Sequence, residues 1–229
     1  LEAAGITLLE SAEVVVIKNG VQGAQVFTAN RVDRIPAFQT RDVFLVGSGD
    51  VFSAIFAYAW MHDGQDPVSA AQLASRATAF YCQTRALPIP TSLPSSFQSR
   101  EVVPSGSPLI YLAGPFFAPH QLSAIEETRV HLLQQGAKVF SPYHDVGLGA
   151  PSFVADADLE ALQRCDAVFA LLGDYDPGTV FEVSFARALG KPVVAVLGPT
   201  GSENTTMFVG SGCEVFDDYV SAIYNAVWV

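Results

Sequence analysis

Between Leu109 and Val229, four short runs of continuous apolar residues alternate with longer segments of helical period, and this order leaves few folds open. The runs are Leu109–Ala113, Lys138–Ser141, Ala167–Leu172 and Pro192–Leu197. The helical segments are roughly His120–Gln135, Ala155–Arg164, Thr179–Leu189 and Asp217–Val227. A strand that is apolar on both faces has to be covered on both faces. Alternation with helices therefore predicts an α/β unit with a parallel sheet and helices on either side. Ligands of such sheets bind beyond the carboxyl ends of the strands, so the loops after Ala113, Ser141 and Leu172 are where chemistry is expected.

A stretch from Leu87 to Pro108 precedes this unit. It holds Pro88, Pro90, Pro94, Pro104 and Pro108 among serines and threonines and shows no sustained period. Prolines at this density interrupt helix and strand alike, which predicts an extended linker over 87–108 between a first part, 1–86, and a second, 109–229. In the first part, Val14–Ile17 and Ala24–Thr28 read as strands joined through Asn19-Gly20 and Gly23, and Asp50–Met61 and Pro67–Thr84 as helices. The chain opens on Leu1-Glu2 in what reads as the middle of a helix, so the N-terminus is taken as a cut.

Charge narrows the partners. The formal net charge is −11, and most of it falls after the linker: 14 acids against 5 Lys/Arg over 104–229, compared with 9 against 7 over 1–103. A unit that acidic repels phosphate backbones and anionic membranes, which argues against nucleic acid and membrane partners. Three cysteines without paired spacing (Cys82, Cys165, Cys213) read as reduced thiols in a cytoplasmic protein, with no zinc site. No apolar run approaches the roughly 18–20 residues that span a bilayer.

The loops of the second part carry Gly114-Pro115-Phe116-Phe117, Pro142-Tyr143-His144-Asp145 and the segment from Asp174 to Glu182. With Asp158 from the preceding helix, four acids (Asp158, Asp174, Asp176, Glu182) and three aromatic rings gather near one sheet edge. Crowded carboxylates repel one another, which raises some of their pKa values and suits acid/base or nucleophilic work. Aromatic rings offer a stacking face to a planar base. A sugar joined to a base fits this mixture better than a phosphate-rich ligand.

Ile110-Tyr111-Leu112-Ala113-Gly114-Pro115-Phe116-Phe117 resembles the opening strand and loop of nucleoside 2-deoxyribosyltransferases. Asp158-Leu159 with Cys165-Asp166, and then Asp176-x-Gly178-x-x-x-Glu182 followed by Gly190-Lys191-Pro192, resemble that family's next blocks, in order and in spacing. The resemblance implies a flavodoxin-like or Rossmann-like sheet and the cleavage of a nucleoside's N-glycosidic bond. It implies Glu182 as the nucleophile, Asp158 as the acid that protonates the leaving base, and Asp176 as a carboxylate on the sugar hydroxyls. Tyr111, Gly114, Phe116 and Gly178 fall where family members line the pocket. Asn204 and Thr205 fall where a neighbouring subunit serves the site, so a homo-oligomer is expected. Deoxynucleoside and nucleobase would be the small-molecule partners, with no metal or cofactor. Related 2′-deoxynucleoside 5′-phosphate N-hydrolases carry a small hydroxyl residue where this chain has Asp176. A carboxylate there repels a phosphate by on the order of several kcal/mol, which favours an unphosphorylated nucleoside. Transfer to a second base and hydrolysis by water both stay open at Thr205.

Plainer readings stand beside these. Thr179-x-x-Glu182 is also a capping box, with Thr179 as N-cap. At a helix start, the helix dipole would keep Glu182 ionised. Asp158 and Asp174 also read as solvated residues at helix starts. A lone His144 is more often structural than catalytic. Of Phe116 and Phe117, one is expected in the core.

In the first part, Gly47-Ser48-Gly49-Asp50 leads straight into an apolar helix. A glycine turn at a helix start presents free N–H groups to an anion, and an acid there can deprotonate an attacking hydroxyl. With Val14–Ala24 before it, the motif resembles part of a ribokinase-like (PfkB-type) kinase. That implies Asp50 as base and Gly47, Ser48 and Gly49 as the anion hole. ATP and Mg would enter only if this part works within a longer chain. The stretch before the motif, Phe44-Leu45-Val46, lacks the Asp-Thr usual in the family.

Overall fold

The structure is a computed structural model and describes residues 2–102, 106–173, 175–198 and 205–229. The chain divides into two compact units, Leu1–Pro104 and Ser105–Val229.

The first unit contains α1 (Glu2–Leu8), a three-stranded antiparallel sheet of β1 (Val15–Lys18), β2 (Ala24–Phe27) and β3 (Val32–Ile35), then β4 (Phe38–Gln39). It continues through α2 (Ser48–Ala57), a single π turn at Tyr58–His62, α3 (Pro67–Thr84) and β5 (Arg100–Glu101). The helix expected over 50–61 thus begins two residues earlier and loosens at Tyr58. α3 starts where Asp66 caps the amides of Val68 and Ser69 and Pro67 fixes φ at the first turn. Its alanines Ala70, Ala71, Ala74 and Ala77 are buried, and Ala71 and Ala74 pack with Val26 and Ile35 of the sheet and Phe52 of α2. The proline-rich stretch is not wholly without regular structure: Arg100 and Glu101 pair with Gln39 and Phe38, and Phe97 sets its ring edge against Phe80.

The second unit runs β6 (Leu109–Ala113), α4 (Pro119–Gln134), β7 (Lys138–Phe140), the single turn α5 (Pro142–Asp145), α6 (Pro151–Arg164) and β8 (Ala167–Leu171). It ends with α7 (Pro177–Ala188), β9 (Val193–Val196), the short α8 (Thr206–Gly210), β10 (Glu214–Phe216) and α9 (Tyr219–Val227). The five strands form one parallel sheet in the order β10-β9-β8-β6-β7. The expected four strands are present. A fifth, β10, and the turns α5 and α8 were not anticipated.

Alternation along each strand divides the core in two. Tyr111, Ala113, Val168, Ala170 and Leu172 face α6 and α7, where they meet Ala161, Leu162, Val183 and Ala186. Ile110, Leu112, Phe169 and Val194 face α4 and α9, where they meet Ile125, Leu132, Ile223 and Ala226. Side chains one residue apart point to opposite sides of the pleat, so the inner strands β6, β8 and β9 have to be apolar throughout. The strand order reverses between β6 and β8, because β6 leads by way of α4 to β7 on one side while β8 and β9 build out on the other. At such a switch point the two following loops diverge and leave a crevice.

Candidate active site

Two helices deliver carboxylates to that crevice by simple periodicity. On α7 the buried residues are Thr179, Val183 and Ala186. Glu182, three residues after Thr179, shares their inward face. On α6 the buried Ala161 and Leu162 are followed by Cys165, and Asp158 lies three and four residues before the pair. Both acids thus occupy positions where an apolar residue would ordinarily sit.

From the sheet beneath, Tyr111 on β6 is fully buried, and its hydroxyl donates a 2.7 Å hydrogen bond to Glu182 Oε1. The Tyr111 ring stacks on Phe140 of β7, with centroids 5.5 Å apart. Burial pushes the Glu182 carboxyl up to about 8; the Tyr111 hydrogen bond works against this, and the charges of Asp158 and Asp176 add to it. Burial likewise raises Asp158 to about 6, and its Oδ1 has no hydrogen-bond partner among the described residues. Burial, then the neighbouring Glu182 and Asp158 charges, raises the Tyr111 phenol far above its ordinary value, so it stays a donor. Two interacting acids titrate as a pair. Between about pH 6 and 8, the pair of Asp158 and Glu182 holds one proton.

The start of α7 corrects the capping-box reading. Asp176, not Thr179, is the N-cap, and Pro177 fills the first helical position. Asp176 Oδ2 accepts from the Thr179 amide at 2.8 Å and from the Thr179 hydroxyl at 3.1 Å. Glu182 therefore lies in the second turn. The helix dipole acts within the first turn, so burial prevails and the carboxyl is raised rather than kept ionised. Gly178 makes the cap possible, since a Cβ there would lie 2.9 Å from Asp176 Oδ2.

The other residues singled out from the sequence fall as follows. A Cβ on Gly114 would press to 3.0 Å on Ile125 and 3.2 Å on Leu171, so that glycine serves close packing where β6 ends. Phe116 is half-buried against the α4 side of the core, while Phe117 is 73% exposed, which decides the pair. His144 is held at both nitrogens, by Ser141 Oγ at 3.0 Å and Glu126 Oε1 at 3.1 Å. Asp166 accepts from the Leu109 amide at 2.7 Å and anchors the start of β6. Thr205 immediately precedes α8, while Asn204 and Asp174 lie outside the described residues. Tyr175 was missed: it takes a left-handed φ of 47° before Asp176 and sets its ring 6.4 Å from Phe208. Nothing in its residue type announces that conformation, which usually falls to glycine or asparagine.

In the first unit, Gly47 adopts φ 79° before α2, and Asp50 is exposed in that helix's first turn. Ser48 turns its amide and its hydroxyl onto the Leu45 carbonyl. Lys18, which sequence reasoning passed over, lays its ammonium on the Gly49 carbonyl at 2.9 Å and on Ser53 Oγ at 3.1 Å. Among the described residues, no group of three His, Cys, Asp or Glu is placed to hold a metal ion, and no helix is long and apolar enough to cross a membrane.

Residues 110–216 match the family model described as nucleoside 2-deoxyribosyltransferase. A 2-deoxyribosyltransferase from Bacillus psychrosaccharolyticus is 34% identical over 52% of this chain and 90% of its own, with a TM-score of 0.44. The chain belongs to the nucleoside 2-deoxyribosyltransferase family.

The matched part lies within the second unit. Similar solved structures also include a 2-desoxiribosyltransferase from Leishmania mexicana, 26% identical over 52% of this chain and 97% of its own, with a TM-score of 0.41. A CMP N-glycosidase from Clostridium botulinum is 20% identical over 51% of this chain and 96% of its own, also with a TM-score of 0.41. Residues 1–92 match the model described as pfkB family carbohydrate kinase. No curated protein matches the chain significantly. Tyr111, Asp158 and Glu182 all lie within the matched residues.

Proposed function

We propose that the second unit cleaves the N-glycosidic bond of 2′-deoxyribonucleosides and passes the deoxyribose to another nucleobase, a reaction of nucleoside salvage. The observation that carries this reading is the one-proton pair of Asp158 and Glu182, with Tyr111 donating to Glu182 Oε1. A glycosyl transfer with a covalent intermediate needs one ionised and one protonated carboxyl at the same moment. In the first step the pair's proton, which rests on the more basic Glu182, passes to Asp158, and the ionised Glu182 oxygen bonds to the anomeric carbon as the carbon–nitrogen bond breaks. The electron pair of that bond leaves with the base, which takes the proton from Asp158. As positive charge develops on the sugar, the Tyr111 hydrogen bond favours ionised Glu182. In the second step a new base attacks the anomeric carbon, its proton passes to Asp158, and the glutamyl ester opens. Asp176 holds the sugar hydroxyls, and its charge disfavours a 5′-phosphate. If water takes the place of the second base, the same residues give hydrolysis.

Incubating the protein with a deoxynucleoside, with and without a second free base, tests the reading. Base exchange is the expected result, and free deoxyribose in place of exchange marks hydrolysis. No turnover of any deoxynucleoside overturns the proposal.

A second reading attaches to the first unit, because Lys18 lies against the glycine turn before Asp50. A cation, a glycine-rich turn and an exposed carboxylate fit a nucleotide's phosphates and their divalent ion. Lys18 would hold the phosphates and Asp50 would face the ion. ATP consumption in the presence of a sugar or nucleoside tests this separately.

A further inference from the structure

The carboxylates and the aromatic rings lie on opposite sides of the same sheet edge. Asp158 and Glu182 come from α6 and α7, whereas Phe116 packs on the core between the sheet and α4. A nucleoside lying across the edge would set its sugar over the acids and its base toward the rings. Phe116 is too covered to offer a free face. Its ring is flanked by Phe117 at 4.9 Å and by Tyr143 at 5.5 Å, and Tyr143 is 38% exposed.

Tyr143 and Phe117 differ in how they are held. The Tyr143 ring is braced edge-on by His144, with centroids 4.9 Å apart at 81°. That imidazole is in turn fixed by the fully buried Ser141 and by Glu126 of α4. Phe117 leans only on Phe116 among the described rings. The Tyr143 hydroxyl has no hydrogen-bond partner among the described residues. A large aromatic ring that is held by two neighbouring rings, is partly exposed and carries a polar tip is pre-organised for a planar ligand.

Resting on the reading above, we propose that Tyr143 is the stacking face for the nucleobase, and that His144 is a positioning residue that sets the angle of its ring. The proposal gives His144 a purpose that neither catalysis nor the core requires. It also shifts the base contact from Phe116 to the loop after β7.

Calorimetric titration of the full chain with adenine and with thymine tests this without relying on turnover. For whichever base binds, Tyr143→Leu should weaken binding about tenfold and Tyr143→Phe by no more than about threefold, as expected for a lost and a retained stacking face. His144→Ala should give an intermediate loss, with the far-ultraviolet circular dichroism unchanged. Unaltered base binding in Tyr143→Leu overturns the proposal, and so does absence of binding by the unsubstituted protein. Unaltered binding in His144→Ala overturns the positioning role. Base binding without cleavage of any deoxynucleoside would remove the proposed reaction while leaving the stacking role standing.

Discussion

The Tyr111 hydroxyl donates to Glu182 Oε1 across 2.7 Å, joining the first strand of the parallel sheet to the second turn of α7. It counters the burial that raises Glu182 to about 8. Tyr111→Phe removes the donor and keeps the ring stacked on Phe140. Turnover should fall roughly 10–100-fold, the range for a lost hydrogen bond to a charged group. Pre-steady-state release of base measures the first step directly. A variant with unchanged base release would deny the bond any part in activating Glu182.

The titration of the acid pair sets a second outcome. Activity requires one proton shared by Asp158 and Glu182, whose values are about 6 and about 8. kcat/KM should rise with pH through about 6 and fall through about 8, giving a bell centred near neutrality. In Tyr111→Phe the upper limb should move further up, because the hydrogen bond that lowers Glu182 is gone. A profile that stays flat from pH 5 to 9 would rule out both acids.

Much of this was legible in the chain. β6, β8 and β9 announce themselves as continuous apolar runs, since a strand covered on both faces has no polar alternation to hide it, whereas β7, at the sheet edge with Lys138 exposed, shows only Val139 and Phe140. Asp158 and Glu182 were legible only through the spacing of the blocks that resemble a known family, since by themselves they also read as a solvated helix-start residue and the end of a capping box. β10 was not legible, because three residues with an exposed Glu214 at a sheet edge show no period. The start of α7 offered two competing signals, Asp176-Pro177 and Thr179-x-x-Glu182. The proline prevailed because its ring already fixes the helical φ and its missing N–H is no loss at the first position. The ionisation of Glu182 follows from its depth, which spacing does not give. The bracing of Tyr143 by His144 depends on Glu126 from another helix and could not be read locally.

Glu182→Gln separates the nucleophile from the scaffold. Glutamine keeps the shape and can still accept from Tyr111, so the fold should persist while transfer and hydrolysis both stop. The stability change has a definite sign. The carboxyl binds its proton more tightly folded, at about 8, than at its ordinary 4.5. Its contribution is therefore whole below about 4.5 and is lost as pH rises through about 8. At pH 9 the unsubstituted protein carries a buried charge that glutamine lacks, so the variant should be more stable, by up to roughly 5 kcal/mol. Thermal unfolding at pH 5 and pH 9 shows whether the gain appears only at the higher pH. A gain of equal size at both would mean that burial of the charge is not its cause.

Gly178 gives the last outcome, and there the direction alone is informative. An alanine placed inside a helix normally gains about 0.5–1 kcal/mol over glycine. At Gly178 the added methyl would lie 2.9 Å from Asp176 Oδ2, so the carboxylate must move. The move strains its bonds to the Thr179 amide and hydroxyl. Loss of a helix cap costs about 1 kcal/mol, enough to cancel or reverse the usual gain. Gly178→Ala should therefore be no more stable than the unsubstituted protein. Because Asp176 is proposed to hold the sugar hydroxyls, its KM for the deoxynucleoside should rise while kcat changes little. If KM holds and stability falls, Asp176 serves only as a helix cap, and its place on the sugar is wrong.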